Sequence, residues 1–529
     1  GRLPCGAFPY PRVDADSLLF MCKRSVSGGI DADGIPVDCV KRENFAFRAV
    51  GERMKPSLIS QVREVGVLVS FTFENWKSYR GPAGLSMVAG RGRSHAGTLI
   101  PVPGYRGLSL LPVAGIWGGN AGGKTNILDA LRFVKAFVTG EYETARGGIP
   151  VRGFRPGSPD DPTRFSIVFI VDGRMWLFEF SLTRSGVIDE ALYWHTKDGI
   201  GDSGWRNVYS RTTDGGGDAV VELQPAACPE LPGWDAELCG RLVECARGTG
   251  PYRLFLSNTV GQRIPVFAHL YGWFDSTLRH AGADTQYTRF SRVLTDERYC
   301  RMFGEILRAL DTGVDRVGLE EAPASEIERS MDPRFLARLE SDGDTMYQLV
   351  HQPLHDITDA VYLVTKKDGN ISVRRVQTYR RRRDGTEERF GFENESSGTR
   401  RLLEVLPVFT DLWSGDTECV WLLDEIDKEF HTDMTQALVR RVLESSGGAH
   451  DRSQMIFTTH DLMLMDTDLL RADEIYIAER SRSGESSLAA LSSYKGIRKD
   501  LDLRRSYLEG RFGGLPSIDA SYGSEGTEE

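Results

Sequence analysis

The segment Gly118-Gly119-Asn120-Ala121-Gly122-Gly123-Lys124-Thr125 constrains this chain more than any other, because it fits G-x-x-x-x-G-K-[ST] without a mismatch. Glycines let successive backbone N–H groups curl around phosphate oxygens. A helix opening just behind them aims its positive end at the same anion. The flanks supply that context. Leu110–Trp117 is a mostly apolar run that predicts a strand, and Ile127, Leu128, Leu131, Val134 and Val138 share one face of a predicted helix. Gly118 through Asn126 are therefore candidate nucleotide-binding residues. Lys124 reaches the β- and γ-phosphates, and the Thr125 hydroxyl is a Mg²⁺ ligand. An ordinary glycine-rich turn with a surface lysine is the plainer reading, and the strand–loop–helix context argues against it.

A second half of such a site lies far downstream. Cys419-Val420-Trp421-Leu422-Leu423-Asp424-Glu425 is an apolar strand ending in two acids. At the carboxyl edge of a parallel sheet, where ligands bind, Asp424 is a Mg²⁺ ligand and Glu425 a general base for an attacking water. Capping of the next helix is the alternative for both. Glu395-Ser396-Ser397-Gly398-Thr399 precedes a predicted helix that runs to about Leu406, where Pro407 interrupts it. Ser396 and Gly398 there suit a second anion site, or Ser396 is a simple helix cap. Thr458-Thr459-His460-Asp461 follows a predicted strand, Met455–Phe457, and puts His460 at the same sheet edge as Asp424.

In this order the motifs resemble ABC/SMC-like AAA-family ATPases of bacterial phage-defence and abortive-infection operons, with a head design shared with RecF and the OLD family. Further matching segments are Phe73-Glu74-Asn75-Trp76-Lys77-Ser78-Tyr79, Leu423-Asp424-Glu425-Ile426-Asp427 with His431, Ala472-Asp473-Glu474-Ile475, and Tyr507 through Pro516. Phe430-His431-Thr432 departs from the family's Leu-His-Pro. The resemblance implies an α/β fold: a P-loop ABC-type ATPase head with mixed β-sheets and an inserted helical lobe. It implies ATP and Mg²⁺ as ligands, with Lys124, Glu425 and His460 in catalysis. Ser396 and Gly398 act in trans in that family, so an ATP-sandwiched homodimer or higher homo-oligomer is expected. No appended nuclease segment is evident, so the expected role is a switch acting on a separate effector.

With 529 residues the chain exceeds what one core supports. Five regions are expected: a poorly ordered extension at 1–53, an N-terminal ATPase lobe at 54–235, a helical insertion at 236–350, a C-terminal ATPase lobe at 351–517 and a disordered tail at 518–529. Within them, 196–235 reads as a long loop, Tyr299–Leu310 and Pro333–Leu339 as helices, and Asp172-Gly173 and Asp368-Gly369 as hairpin turns. Eight cysteines without a CxxC pair point to reduced thiols and a cytoplasmic location, and no apolar run is long enough to span a membrane.

The net charge of −10 argues against coating duplex DNA. Arg374, Arg375 and Arg380–Arg383 form a basic run that keeps nucleic-acid contact, and a RecF-like repair ATPase, as the alternative. A solvated surface balanced by Glu387 and Glu388 is the plainer reading. His351 and His355, with Pro353 between them, read as structural rather than zinc ligands. Trp273 and Phe274 read as core.

Overall fold

The computed structural model describes residues 66–92, 94–142, 148–155, 157–196, 204–224, 234–282, 293–323, 339, 345–351, 360–413, 418–446, 452–498 and 501–515. The first 65 residues and the tail beyond Leu515 lie outside them, as do His355 and most of Pro333–Leu339. In chain order the elements are β1 (Gly66–Glu74), β2 (Ala83–Ser86), β3 (Val113–Trp117), α1 (Lys124–Val138), β4 (Thr163–Val171), β5 (Arg174–Thr183), β6 (Gly186–His195), β7 (Trp205–Thr213), β8 (Ala219–Leu223) and α2 (Ala236–Arg247). There follow β9 (Leu278–Ala281), α3 (Glu297–Ala309), β10 (Arg316–Glu321), β11 (Thr345–His351), β12 (Ala360–Lys367), β13 (Asn370–Arg381), β14 (Glu387–Gly391) and α4 (Ser397–Trp413). The last are β15 (Val420–Leu423), α5 (Thr432–Ser445), β16 (Gln454–Thr458), β17 (Ile475–Arg480), β18 (Ser486–Ala490) and α6 (Leu503–Leu508).

Among the described residues three larger sheets form, beside a two-stranded ribbon of Ile100–Pro101 with Ser109–Leu110, giving a mixed α/β fold. The central one runs β9-β15-β16-β3-β17-β18, with every neighbour parallel except β18. Its inner strands β15, β16 and β3 are buried along their whole length, as a sheet covered on two faces requires. One face packs on α1, which in turn meets the antiparallel sheet β8-β7-β6-β5-β4-β1-β2. The other face, with Val113, Trp117, Trp421 and Phe457, packs on α3, α4 and α5. The third sheet is β10-β13-β12-β11, with β14 also on β13. Trp273 and Phe274 are fully buried, with Trp273 4.6 Å from Phe169.

Local sequence accounts for most of this. Phe165, Ile167 and Phe169 alternate into the core and pair with Phe180, Phe178 and Trp176 across a two-residue turn. Asp172 and Gly173 both take positive φ there (51° and 70°), the geometry that matches strand twist. Gln454 joins the first two sheets: its fully buried amide accepts from Leu68 N–H at 2.7 Å and donates to Leu68 O and Leu111 O.

Four expectations differ from what forms. Leu110–Trp117 is not one strand, because Pro112 has no N–H to give a ladder and the run breaks there. α4 does not stop at Leu406 but carries Pro407 inside its 17 residues. Burial of Leu402, Leu403, Leu406, Val408, Phe409 and Leu412 outweighs the ~3 kcal/mol that an internal proline costs. The stretch 196–235 holds β7 and β8, whose apolar signal is thin because β8 lies at a sheet edge. Finally, 236–350 is not helical throughout. It also contributes β9 to the central sheet and β10 and β11 to the third. These strands are short or studded with charges, so periodicity hides them.

Candidate nucleotide site

Three neighbouring parallel strands end at one edge. In register, Leu423 faces Phe457 and Thr458 faces Ile116, so β15, β16 and β3 finish level with one another. Leaving those ends are Asp424 and Glu425, His460, and the loop Gly118–Gly123. The topology thus brings together residues that the sequence separates by more than 300 positions.

Lys124 is buried, with 6% of its surface exposed. Its Nζ donates to Gly118 O at 2.8 Å and Gly119 O at 3.2 Å, and lies 3.0 Å from His460 Nε2. Burial lowers the Lys124 pKa, and the nearby carboxylates of Glu425, Asp424 and Asp427 oppose that shift. Burial also lowers the His460 pKa, and the Lys124 charge adds to the effect. The backbone N–H of His460 points at Asp427, 3.3 Å from Oδ2.

Thr125 Oγ1 donates to Asp424 Oδ1 at 3.1 Å, at the exposed mouth of the site. Thr458 Oγ1 donates to the same oxygen at 2.6 Å and accepts from Glu425 N–H at 2.8 Å. Glu425 takes φ 51°, an uncommon conformation for a non-glycine residue. Thr125 and Asp424 are converging hard oxygens, the donor type that Mg²⁺ takes alongside phosphate oxygens and water. The residues present therefore fit a Mg²⁺–nucleotide.

The loop itself is held from both ends of the described chain. Ala121 (φ 60°) and Gly123 (φ 105°) turn the backbone into the helix, while Gly122 N–H donates to Gly119 O. Trp76 Nε1 donates to Asn126 O at 2.8 Å, Asn126 Nδ2 to Ser78 Oγ at 2.8 Å, and Tyr79 OH to Gly123 O. Lys77 pairs with Asp129 of α1. From the other end, Gly119 N–H donates to Gly514 O at 2.6 Å, and Tyr507 OH donates to the same carbonyl. Asn120 stays exposed at the loop's tip. Thr458, Asp427 and Gly514 stand inside segments that the sequence marks, without a role of their own there. Ser486, whose hydroxyl donates to Ser78 Oγ at 2.8 Å behind the loop, carries no local signal.

Ser396 and Gly398 sit at the start of α4. The Ser396 hydroxyl accepts from Thr399 N–H at 3.1 Å, as a cap does. Gly398 lies against Glu429 O, only 2.9 Å from where a Cβ would stand. Their partners within the chain are thus the helix itself and the loop after Glu425, rather than the glycine loop. His431 is exposed and caps α5, accepting from Asp433 N–H. Much of the arginine run is ion-paired: Arg375 with Glu393, Arg380 with Glu395 and Arg382 with Glu388. Arg316–Glu387 and Arg389–Glu320 extend the pairing across the same sheet.

Comparison with known proteins adds three findings. Residues 113–214 and 267–466, over half the chain, match the model of a family described as "AAA domain, putative AbiEii toxin, Type IV TA system". No curated protein matches. Among solved structures, the chain is similar to an SMC head domain from Thermotoga maritima at 14% identity, covering 80% of this chain and 98% of that one with a TM-score of 0.29. No helix among the described residues is long and apolar enough to cross a membrane.

Proposed function

Since the chain belongs to this AAA family of ATPase domains, we propose that it is a P-loop ABC-type ATPase in which two copies close around two ATP molecules. The observation that carries this reading is the convergence of Lys124, Thr125, Asp424 and His460 at the carboxyl ends of β3, β15 and β16. That edge is where parallel α/β sheets bind ligands.

The roles follow from charge and position. The N–H groups of Gly123, Lys124 and Thr125 and the Lys124 ammonium bind the β- and γ-phosphates. Lys124 Nζ now satisfies itself on Gly118 O, Gly119 O and His460, contacts that phosphate oxygens replace. Thr125 and Asp424 would hold Mg²⁺, which would supply charge neutralisation on the phosphates. Glu425 takes the proton of the attacking water. His460, kept neutral by burial, hydrogen-bonds the γ-phosphate. Ser396 and Gly398 sit at a helix N-terminus apart from their own glycine loop, which suits an anion held by a second copy.

Closure on ATP and opening after hydrolysis give a switch whose state a separate effector reads, in keeping with a bacterial defence role. Light-scattering mass of Glu425→Gln with and without ATP–Mg²⁺ tests the sandwich. A doubling of mass on adding ATP is expected. A monomer in both conditions, with nucleotide measurably bound, refutes it.

A further inference from the structure

Glu395 stands immediately before Ser396, and its side chain is entirely shut off from solvent. A carboxylate out of water is costly unless its charge is met and both oxygens are hydrogen-bonded. One strand meets both needs. Thr378 Oγ1 donates to Oε1 at 2.5 Å, and Arg380 Nη2 donates to Oε2 at 2.5 Å. Thr378 and Arg380 are two apart on β13 and so share a face. The Arg380 guanidinium also lies 4.9 Å over the Phe390 ring of β14. Two residues before Glu395, Glu393 pairs with Arg375 of the same strand, and Phe392, just ahead of Glu393, is buried. On the opposite side, Gly398 touches Glu429 O in the loop that follows Asp424 and Glu425. The start of α4 is wedged between the third sheet and the catalytic loop.

We propose that Glu395 is a positioning residue for ATP turnover. Pinned to Thr378 and Arg380, it sets where Ser396 and Gly398 are offered to the nucleotide of a second copy. It thereby makes the β10–β14 sheet a lever on hydrolysis. The proposal rests on the ATP-sandwich reading and adds to it the element that regulates the trans contact. Misplacing a reacting geometry by 1 Å costs on the order of 100-fold in rate. Each chain's own phosphate loop lies elsewhere and keeps its affinity.

The test compares Glu395→Gln, Arg380→Met and Arg380→Lys with the full-length protein. Steady-state turnover gives kcat, and titration with a fluorescent ATP analogue gives Kd. Expected is a fall in kcat of about 10- to 100-fold for Glu395→Gln and Arg380→Met, with Kd within about twofold. Arg380→Lys, which keeps the charge, recovers much of the rate. Circular dichroism and melting check folding. If Glu395→Gln does not fold, the two Arg380 variants decide, since that side chain is 36% exposed. Ser396→Arg separates the two levels of the argument. If Ser396→Arg is inactive while Glu395→Gln and Arg380→Met turn over normally, the positioning role is overturned alone. If Ser396→Arg turns over normally, the sandwich reading falls and the positioning role with it.

Discussion

Gly123→Ala places a methyl group where the backbone has φ 105° and where Ser486 Oγ and Ser78 Oγ stand 2.8 and 3.0 Å from the new carbon. Two costs add. An L side chain in a sparsely populated backbone region costs about 1–3 kcal/mol. Making room also opens the Ser486–Ser78 hydroxyl bond, 2.8 Å long, for roughly 0.5–1.5 kcal/mol more. The total is about 1.5–4.5 kcal/mol, and it has two outlets. If the loop keeps its shape, the fold loses that much stability. If the loop relaxes, nucleotide must restore it, and at about 1.4 kcal/mol per tenfold the Kd rises by roughly 10- to 1,600-fold. Denaturant unfolding and titration with a fluorescent ATP analogue, run on the same protein, read both outlets. Gly215→Ala, with nothing within 4 Å of its Cβ, is the matched control. A Gly123→Ala protein with stability within about 0.5 kcal/mol of wild type and an unchanged Kd would refute the steric reasoning.

Lys124→Ala removes the ammonium from the phosphates, and nucleotide affinity should fall by about 100-fold, from charge-assisted hydrogen bonds of roughly 1.5–3 kcal/mol each; calorimetric titration measures it. Gln454→Leu strands the N–H and carbonyl of Leu68 and the carbonyl of Leu111, and denaturant melts should show a loss of about 3–6 kcal/mol. Burial, helped by Arg132 and Lys135, pushes His280 down to about 4. Unfolding restores its ordinary value near 6.5, so the unfolded chain takes the proton first. His280 therefore costs no stability above about pH 6.5 and about 3 kcal/mol once the pH has fallen to about 4. In His280→Leu that part of the pH slope should vanish from melts recorded across the range. Finally, duplex DNA should leave turnover unchanged, because so many of the third sheet's arginines already hold carboxylates. Clear stimulation by DNA would instead favour the RecF-like reading.

The candidate residues that converge at the sheet edge were far more legible than the scaffold around them. Gly118–Thr125 and Asp424–Glu425 announce themselves because phosphate chemistry dictates residue types at fixed spacing, and their flanking strands are apolar enough to read alone. Ser396 and Gly398 were visible as a helix start, but their seat against Glu429 depends on tertiary packing. Pro407 misled because local propensity says stop while a helix buried along most of its length says continue. β8 and β9 escaped for the opposite reason: an exposed edge strand and a four-residue strand carry too few buried side chains to show a period. The bond from Gly119 to Gly514 joins residues 395 apart, and nothing near either glycine encodes its partner. The positive φ of Gly513 and Gly514 marks a special backbone there without saying what it serves.

That same bond sets an order of events during synthesis. Residues 75–79 and the glycine loop emerge early and can pack against each other at once. The loop's last fastening arrives only when Gly514 has left the ribosome. A nascent chain therefore carries the whole phosphate-binding motif through most of its translation with the cradle unlatched. On the ATP-binding reading proposed above, full grip on nucleotide would coincide with completion of the polypeptide through Gly514, and a shortened product ending before that residue would compete poorly for ATP with one that reaches it.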